Sequence, residues 1–434
     1  YKALTAVRLA QALSAQGLPA VPVFWLADQD HDLEEVAHIA TFDDGYELIS
    51  LTDRGERPAA RSSVGHVKLS SQIDGALELL ERSLPTGEPR ERLLRDLRET
   101  YRPGTTWAEA FGCFMARLFS RWGVVLLDPL DEAVHRLGTR VYQQALARAG
   151  ELRQRLLERS QALLQAGYHA QVHVTEESTL VFVTQEGNRV PLTQRDGEFL
   201  LDGREKISLG ELEARAETRP LGLSPNVLLR PVVQDILLPT LAYVAGPSEL
   251  AYLGQANALY AIFGRPQPVI FPRAGFTLVD RRIQHLMEKY RVSVEDVWQG
   301  EEHLGRRIAA TGIAAGWSER FDQSEQEQAQ LLERLRQDVE TLDPTLLDAL
   351  HHTQERIQYQ MDRLRGKLSR AALQRSELLG RHAQSLLRFL TPRKSLQERE
   401  VSGVYFLGRV GYELLDRLLA HIRADCSDHQ VLAY

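Results

Sequence analysis

Apolar residues recur at steps of three and four from the start of the chain. Ala3, Ala6, Ala10, Leu13 and Gly17 share one face of a helix over 1–16, which Gly17 and Pro19 end. Such small residues suit a helix lying close against a sheet. An apolar run of strand length, 23–27, follows and stops abruptly. Six ionisable side chains fall within the next eight residues: Asp28, Asp30, His31, Asp32, Glu34 and Glu35. Helix, turn, strand and polar burst make half of a βαβ unit, and in open α/β sheets ligands sit outside the carboxyl ends of the strands. The cluster therefore reads as one wall of an active site. The same carboxylates would equally suit the first turn of a helix whose apolar face is Leu33, Val36 and Ala37. His31, flanked by Asp30 and Asp32, is the residue that capping explains least; an imidazole oriented by a carboxylate is a candidate base or ligand.

The pattern continues in the same grammar. A weak alternation over 46–51 predicts a strand. Ile73, Leu77, Leu80 and Leu84 mark a helix closed by Pro85 and Gly87, and a helical stretch over 93–101 is broken by Pro103-Gly104. Thr105-Thr106 then caps a helix through Phe111, Phe114, Met115 and Leu118, in which Cys113 reads as a core residue. The run 123–127, between Gly123 and Asp128-Pro129, has the look of a fully buried parallel strand with Asp128 at its carboxyl end. A helix carries on to about 166. Between 170 and 202, short alternating runs separated by Glu-Ser, Glu-Gly-Asn and Arg-Asp-Gly turns predict antiparallel hairpins, an insertion in an otherwise α/β sequence.

From 224 the α/β pattern returns. An apolar strand over 236–245 leads into Gly246-Pro247-Ser248-Glu249, a helix runs to about 263 with Leu250, Leu253 and Leu259 inward, and a strand over 268–280 carries Pro272-Arg273 in its middle. Strand, glycine and a Ser-led helix start can cradle a phosphate, although many glycine turns bind nothing. Beyond 282 the chain turns rich in Gln, Glu, Arg and Leu. Leu331, Leu335, Val339, Leu342 and Leu346 form one seam. Ile357, Met361, Leu364, Leu368 and Ala371 form another at heptad steps, with Asp343-Pro344 as the stop and start between two antiparallel helices. A closing helix with Leu414, Leu415, Leu418 and Leu419 folds back.

At 434 residues the chain needs more than one core. The divisions expected are a core over 1–280, in which 85–225 are helical and β-hairpin connections, a coiled-coil domain over 281–390, and a C-terminal segment over 391–434. With 52 basic against 59 acidic residues and a net charge of −7, no general basic surface invites nucleic acid, and no apolar run is long enough for a membrane span. Two cysteines far apart, Cys113 and Cys426, exclude a disulfide framework and an all-cysteine zinc site. A reducing cytoplasm is the simplest setting.

Three blocks, Tyr1-Lys2-Ala3 through His38, Val233-Gln234-Asp235 through Thr277, and Leu396-Gln397-Glu398-Arg399, resemble the cysteine-adding enzymes of bacillithiol biosynthesis in order and spacing over nearly the whole chain. The resemblance implies an α/β fold: a Rossmann-like core of the class I nucleotidyltransferase type, a small antiparallel insertion, and a long helical coiled-coil arm that pairs subunits into a homodimer. It implies a ligase that joins the carboxyl group of cysteine to the nitrogen of glucosaminyl-malate. Activation of a free carboxylate in water points to ATP, with Mg²⁺ as a possible companion. On this reading Asp30, His31 and Asp32 are the catalytic candidates. Gln234, Asp235 and Glu249 would bind substrate, and Gly246, Ser248 and Arg273 the nucleotide. The chain departs from the family pattern at Gln29, where Glu is expected, at Ala245, where Gly is expected, and at Ala274-Gly275, where a stretch with serine is usual. A Thr-Gly-Gln-Gln-Pro-Gly loop that family members carry before the Tyr-Lys-Ala helix lies outside this sequence. The rival classes are a non-catalytic nucleotide-binding or scaffold protein acting through its coiled coil, and a nucleotidyltransferase for another small molecule.

Overall fold

The first helix, Lys2–Ala15, forms where the small-residue pattern places it, but it buries Ala3, Leu4, Val7 and Ala10 rather than the face running on to Gly17. In the computed structural model, which describes residues 1–219, 221–312 and 317–434, the chain divides into two compact units. One comprises Tyr1–Thr41, Ser50–Gly275 and Gly403–His429; the other comprises Phe42–Ile49, Phe276–Ser402 and Gln430–Tyr434.

In the first unit, β1 (Val23–Trp25) leads into a loop, and β2 (His38–Phe42) and β3 (Leu48–Thr52) form a hairpin whose tip belongs to the second unit. β4 (Val125–Leu127) pairs in parallel with β1, Trp25 opposite Leu127. No helix follows the acidic cluster. Leu33 and Ala37 instead pack from a loop against Val64 and Val67, with Val36 and Trp107 at the margin. β4 is parallel as expected but not fully buried: Val125 is 48 % exposed, because the pair β1–β4 is two strands wide among the described residues.

Local signals placed the helices well. Thr106 caps the helix Trp107–Phe119 by accepting the Glu109 N–H at 3.3 Å, and Asp131 caps Glu132–Ala147 by accepting those of Ala133 and Val134. The Trp107–Phe119 helix buries Ala110, Phe114, Met115 and Leu118. Cys113 lies off that face and is exposed, so it is not the core residue expected. The five-stranded antiparallel sheet that follows is made of β5 (Ser178–Gln185), β6 (Asn188–Arg195), β7 (Glu198–Leu201), β8 (Glu205–Ile207) and β9 (Leu223–Pro225), in the order β8-β7-β6-β5-β9. Its two tight turns are Glu186-Gly187 and Asp196-Gly197, with φ positive at both positions of each, the geometry whose twist matches a hairpin. A core of Leu, Val and Ala residues from Val141 to Tyr260 joins this sheet to its neighbouring helices.

The apolar run 236–245 splits. Its first part belongs to the helix Arg230–Leu237, and only β10 (Ala242–Ala245) is strand. β10 pairs in parallel with β11 (Val269–Pro272), not with β1. The strand expected over 268–280 also breaks at residues 273–275: its second half, β12 (Phe276–Val279), belongs to the second unit and pairs in parallel with β13 (Gln430–Ala433).

In the second unit Gln397 serves the β12 backbone. It accepts the Leu278 N–H at 2.8 Å and donates to the Leu278 and Phe389 carbonyls at 3.0 Å, while Glu398 accepts the Phe276 N–H at 2.9 Å. The Leu-Gln-Glu-Arg block thus holds a strand in place. The coiled-coil helices are Trp317–Leu342 and Leu347–Arg375, and the Asp343 side chain accepts the Thr345 N–H between them. Arg365 donates to Asp322 and Glu325, so late residues of the second helix meet early residues of the first and the pair is antiparallel. The expected seams fill the hairpin only in part, through Val339, Ile357 and Met361. Leu332 is buried and Phe321, Ile357 and Met361 half-buried, whereas Leu331, Leu335, Leu342, Leu346, Leu364 and Leu368 are exposed. Among the described residues, no helix is long and apolar enough to cross a membrane.

Candidate active site

The loop after β1 is pinned by a short turn, Val64–His66. The Asp28 carbonyl accepts the Gly65 N–H at 2.9 Å, and the Asp30 carbonyl that of Val64 at 2.6 Å. Residue 65 must be glycine here: a Cβ would meet Leu130 Cδ1 at 2.4 Å and Asp28 Cβ at 2.9 Å. The loop is therefore held by backbone on one side and by side chains on the other. Arg189 of β6 donates to Asp30 Oδ1 at 3.1 Å, and its guanidinium lies 4.1 Å from the centre of the Phe182 ring. The His31 N–H donates to the same Asp30 oxygen at 2.7 Å, and its Nδ1 lies 3.2 Å from it without the alignment of a hydrogen bond. Arg57 donates to the His31 carbonyl at 2.9 Å.

Of the three catalytic candidates, Asp30 and His31 are thus brought together. Asp32 is turned elsewhere and accepts the Glu34 N–H at 3.1 Å, a turn cap on an exposed residue. Arg189 was not a candidate from the sequence. It alternates out of phase with the core residues Val190 and Leu192, so the strand pattern reads it as an outward polar position and carries no signal of its burial.

Asp28 was part of the acidic cluster but drew no role, and it is the most perturbed carboxyl there. It is 6 % exposed, and neither carboxylate oxygen finds a donor. Burial, then the charge of nearby Asp128, push its pKa up to about 8. The ends of β1 and β4 therefore bring two carboxyl groups together, and burial beside a second carboxyl group favours the neutral form of Asp28. Asp128 also accepts the Leu130 N–H at 2.7 Å.

The remaining candidates gather around the turn after β10. Glu249 accepts the Gly246 N–H at 2.9 Å, pairs with Lys2, and accepts hydroxyls from Tyr243 and Tyr252 at 3.2 and 3.0 Å. Burial alone would raise its pKa, but Lys2, the Gly246 N–H and Arg230 together hold it below the usual value. Arg230 reaches both tyrosine hydroxyls and Gln234, which donates to Asp235 at 3.3 Å, and Tyr260 closes the network on Asp235. Burial raises the Asp235 pKa against the opposing effect of these bonds. Gln234, Asp235 and Glu249 therefore sit in one internal network. Gly246 is buried beside Arg273: a Cβ there would lie 3.6 Å from Arg273 Nε. Ser248 is exposed on the first turn of the helix Pro247–Tyr260. Lys2, Arg230 and Arg273 gather with Glu249 and Asp235 around a turn that opens the helix Pro247–Tyr260.

Asp30, His31 and Asp32 do not converge on one point as three metal ligands would. Among the described residues the cluster that does is His351, His352 and Glu355, fully exposed on the coiled coil.

Two family models cover the chain. Residues 1–274 match the N-terminal Rossmann-like domain of bacillithiol biosynthesis BshC, and residues 276–434 match its C-terminal coiled-coil domain. Curated relatives named "Putative cysteine ligase BshC" align along the full length. The protein of Koribacter versatilis is 37 % identical over 432 residues, 99 % of this chain and 80 % of its own. That of Solibacter usitatus is 36 % identical over 432 residues, 100 % of this chain and 80 % of its own. The Salinibacter ruber protein is 31 % identical over 436 residues, with 100 % and 79 % covered. With a Rossmann-like first domain, a helical coiled-coil second domain and this similarity over both, the chain belongs to the BshC family of bacillithiol biosynthesis.

Proposed function

We propose that this chain is a ligase that joins the carboxyl group of cysteine to the amino nitrogen of glucosaminyl-malate, forming a C–N bond and completing bacillithiol. The observation that carries the reading is similarity along the entire chain to relatives named as cysteine ligases. The geometry around Asp30 is consistent with it. Arg189 and the His31 N–H orient the Asp30 carboxylate, which in turn sits beside the imidazole. His31 can then take the proton that the amine loses as it attacks, the role of a general base.

Amide formation from a free carboxylate needs activation, which ATP supplies. The turn at Gly246, with Ser248 and Arg273, is the place proposed for its phosphates, because a strand there runs through glycine into a helix N-terminus beside a guanidinium. Gln234, Asp235 and Glu249 then act on substrate through the network they form. Mg²⁺ enters bound to the nucleotide phosphates, as is usual for this ion. The exposed leucines of the coiled coil pair two copies of the chain, and the reaction takes place in the cytoplasm.

The test is direct. The full-length protein is incubated with cysteine, glucosaminyl-malate and ATP–Mg²⁺, and bacillithiol is measured by mass spectrometry. Product is expected with the parent, and roughly a hundredfold less or below with His31→Ala or Asp30→Ala, at unchanged melting temperature. Absence of product from the parent refutes the reaction. Full activity in both variants refutes the site.

A further inference from the structure

Behind the Asp30 loop lies a cavity of about 280 Å³, closed by the Val64–His66 turn on one side and by β5, β6 and β9 on the other. Its lining includes Arg189, Arg219, His66, Gln29, Ser63 and Ser224 and, among the described residues, no carboxylate. That composition stands out in a chain with net charge −7.

Arg189 is the built part of the site, with its side chain 9 % exposed. A guanidinium has five N–H donors. Three are spent: Nε on Ser224 Oγ at 3.0 Å, Nη1 on Asp30 at 3.1 Å, and Nη2 on the Pro225 carbonyl at 2.6 Å. Two remain. The hydroxyl and amide groups around it are largely satisfied within the protein: Ser63 donates to the Gln29 carbonyl and the Gln29 amide to the Pro129 carbonyl, both at 3.0 Å. Arg219 is exposed at the mouth, and its side chain has no partner among the described residues. His66 is likewise exposed.

The lining thus offers spare donors from two guanidiniums, one deep and already tied on one side to Asp30, the other at the mouth with no side-chain partner among the described residues. The volume is at the lower edge of small-molecule sites, about 300–1,000 Å³, which suits a short carbon frame and excludes a whole nucleotide. A guanidinium fork matches a carboxylate bidentately, and two forks at separate depths match two carboxylates.

We infer that this cavity is a binding site for a compact dicarboxylate, held by Arg189 in the interior and by Arg219 at the entrance. The inference rests on the reaction proposed above in one respect: there, the dicarboxylate is the malyl end of the acceptor, and Asp30, tied to the same arginine, stands next to it. Arg189 then links specificity to catalysis, since one guanidinium contacts both the acceptor and the candidate catalytic carboxylate.

Calorimetry on the full-length protein, with L-malate, inorganic phosphate and glucosamine as separate probes and no cysteine or ATP present, tests the site apart from the reaction. L-malate is expected to bind, and Arg219→Gln, an exposed substitution that leaves the core intact, to weaken it tenfold or more. His66→Gln is a second variant that does not touch packing, with a smaller loss expected. L-malate affinity unchanged in Arg219→Gln overturns the inference, as does phosphate binding as tightly as L-malate. Bacillithiol formation with an unchanged KM for the acceptor in Arg219→Gln overturns it while leaving the ligase reading intact. Arginine-dependent L-malate binding in a protein that makes no bacillithiol does the reverse.

Discussion

Replacing Asp28 by Asn should stabilise the protein, and more so as the pH rises. The side chain is buried, its oxygens have no donor, and burial with the charge of nearby Asp128 pushes its pKa up to about 8, far above the usual carboxylate range. The folded chain therefore holds this proton while the unfolded chain gives it up. The contribution of the group to stability is fully present below about pH 4, is lost as the pH climbs towards 8, and is level beyond. At about 1.4 kcal/mol per unit, the loss is roughly 1.5 kcal/mol at pH 5 and about 4 kcal/mol at pH 7. Asn has nearly the same shape and does not titrate. The Asp28→Asn variant should therefore gain about these amounts as upper bounds. Urea denaturation of parent and variant at pH 5, 7 and 8.5 reads the effect, and the difference between them cancels every other titrating group. A difference that does not change with pH would refute the raised pKa of Asp28. A variant less stable than the parent at pH 8.5 would mean that Asp28 is ionised and paired in the native protein.

Two other outcomes follow from the structure. Replacing both Leu364 and Leu368, exposed on the coiled coil, with Glu should give monomers in sedimentation analysis. Burying a leucine is worth about 1.5–3 kcal/mol, so losing two per subunit weakens association roughly a hundredfold or more; a parent that already sediments as a monomer refutes the proposed dimer. Arg273→Ala should weaken ATP binding roughly ten- to hundredfold, the value of one charge-assisted contact of about 1.5–3 kcal/mol. Unchanged affinity in calorimetry places the phosphates elsewhere.

Local grammar was legible in the sequence, because its physics is local. Thr106 and Asp343-Pro344 stop and start helices by satisfying N–H groups two or three residues away, and Gly187 and Gly197 take the positive φ that their two-residue hairpin turns require. Helix and strand periodicity, the antiparallel pair Trp317–Leu342 and Leu347–Arg375, and the blocks that mark the family belong to the same class. The acidic cluster at the end of β1 was legible too, and so was the grouping of Gly246 with Glu249, three residues apart.

The tertiary structure decided which face of each element meets a neighbour, and periodicity cannot say that. Cys113 is exposed because the core lies beside Phe114 and Leu118; Leu332, not Leu331 or Leu335, enters the helical hairpin because Phe321 and the Arg365 ion pairs set its rotation. The strand over 268–280 broke because β12 finds its partner at Gln430–Ala433, and Gln397 and Glu398 serve its backbone from over a hundred residues away. The site depended most on such distant pairings. Arg189 reaches Asp30 across 159 residues, and Asp128 reaches Asp28 only because β4 lies parallel to β1. A charge that acts from one strand on another is a property of their pairing, so the chemistry of Asp28 and Asp30 became readable only once the chain had folded.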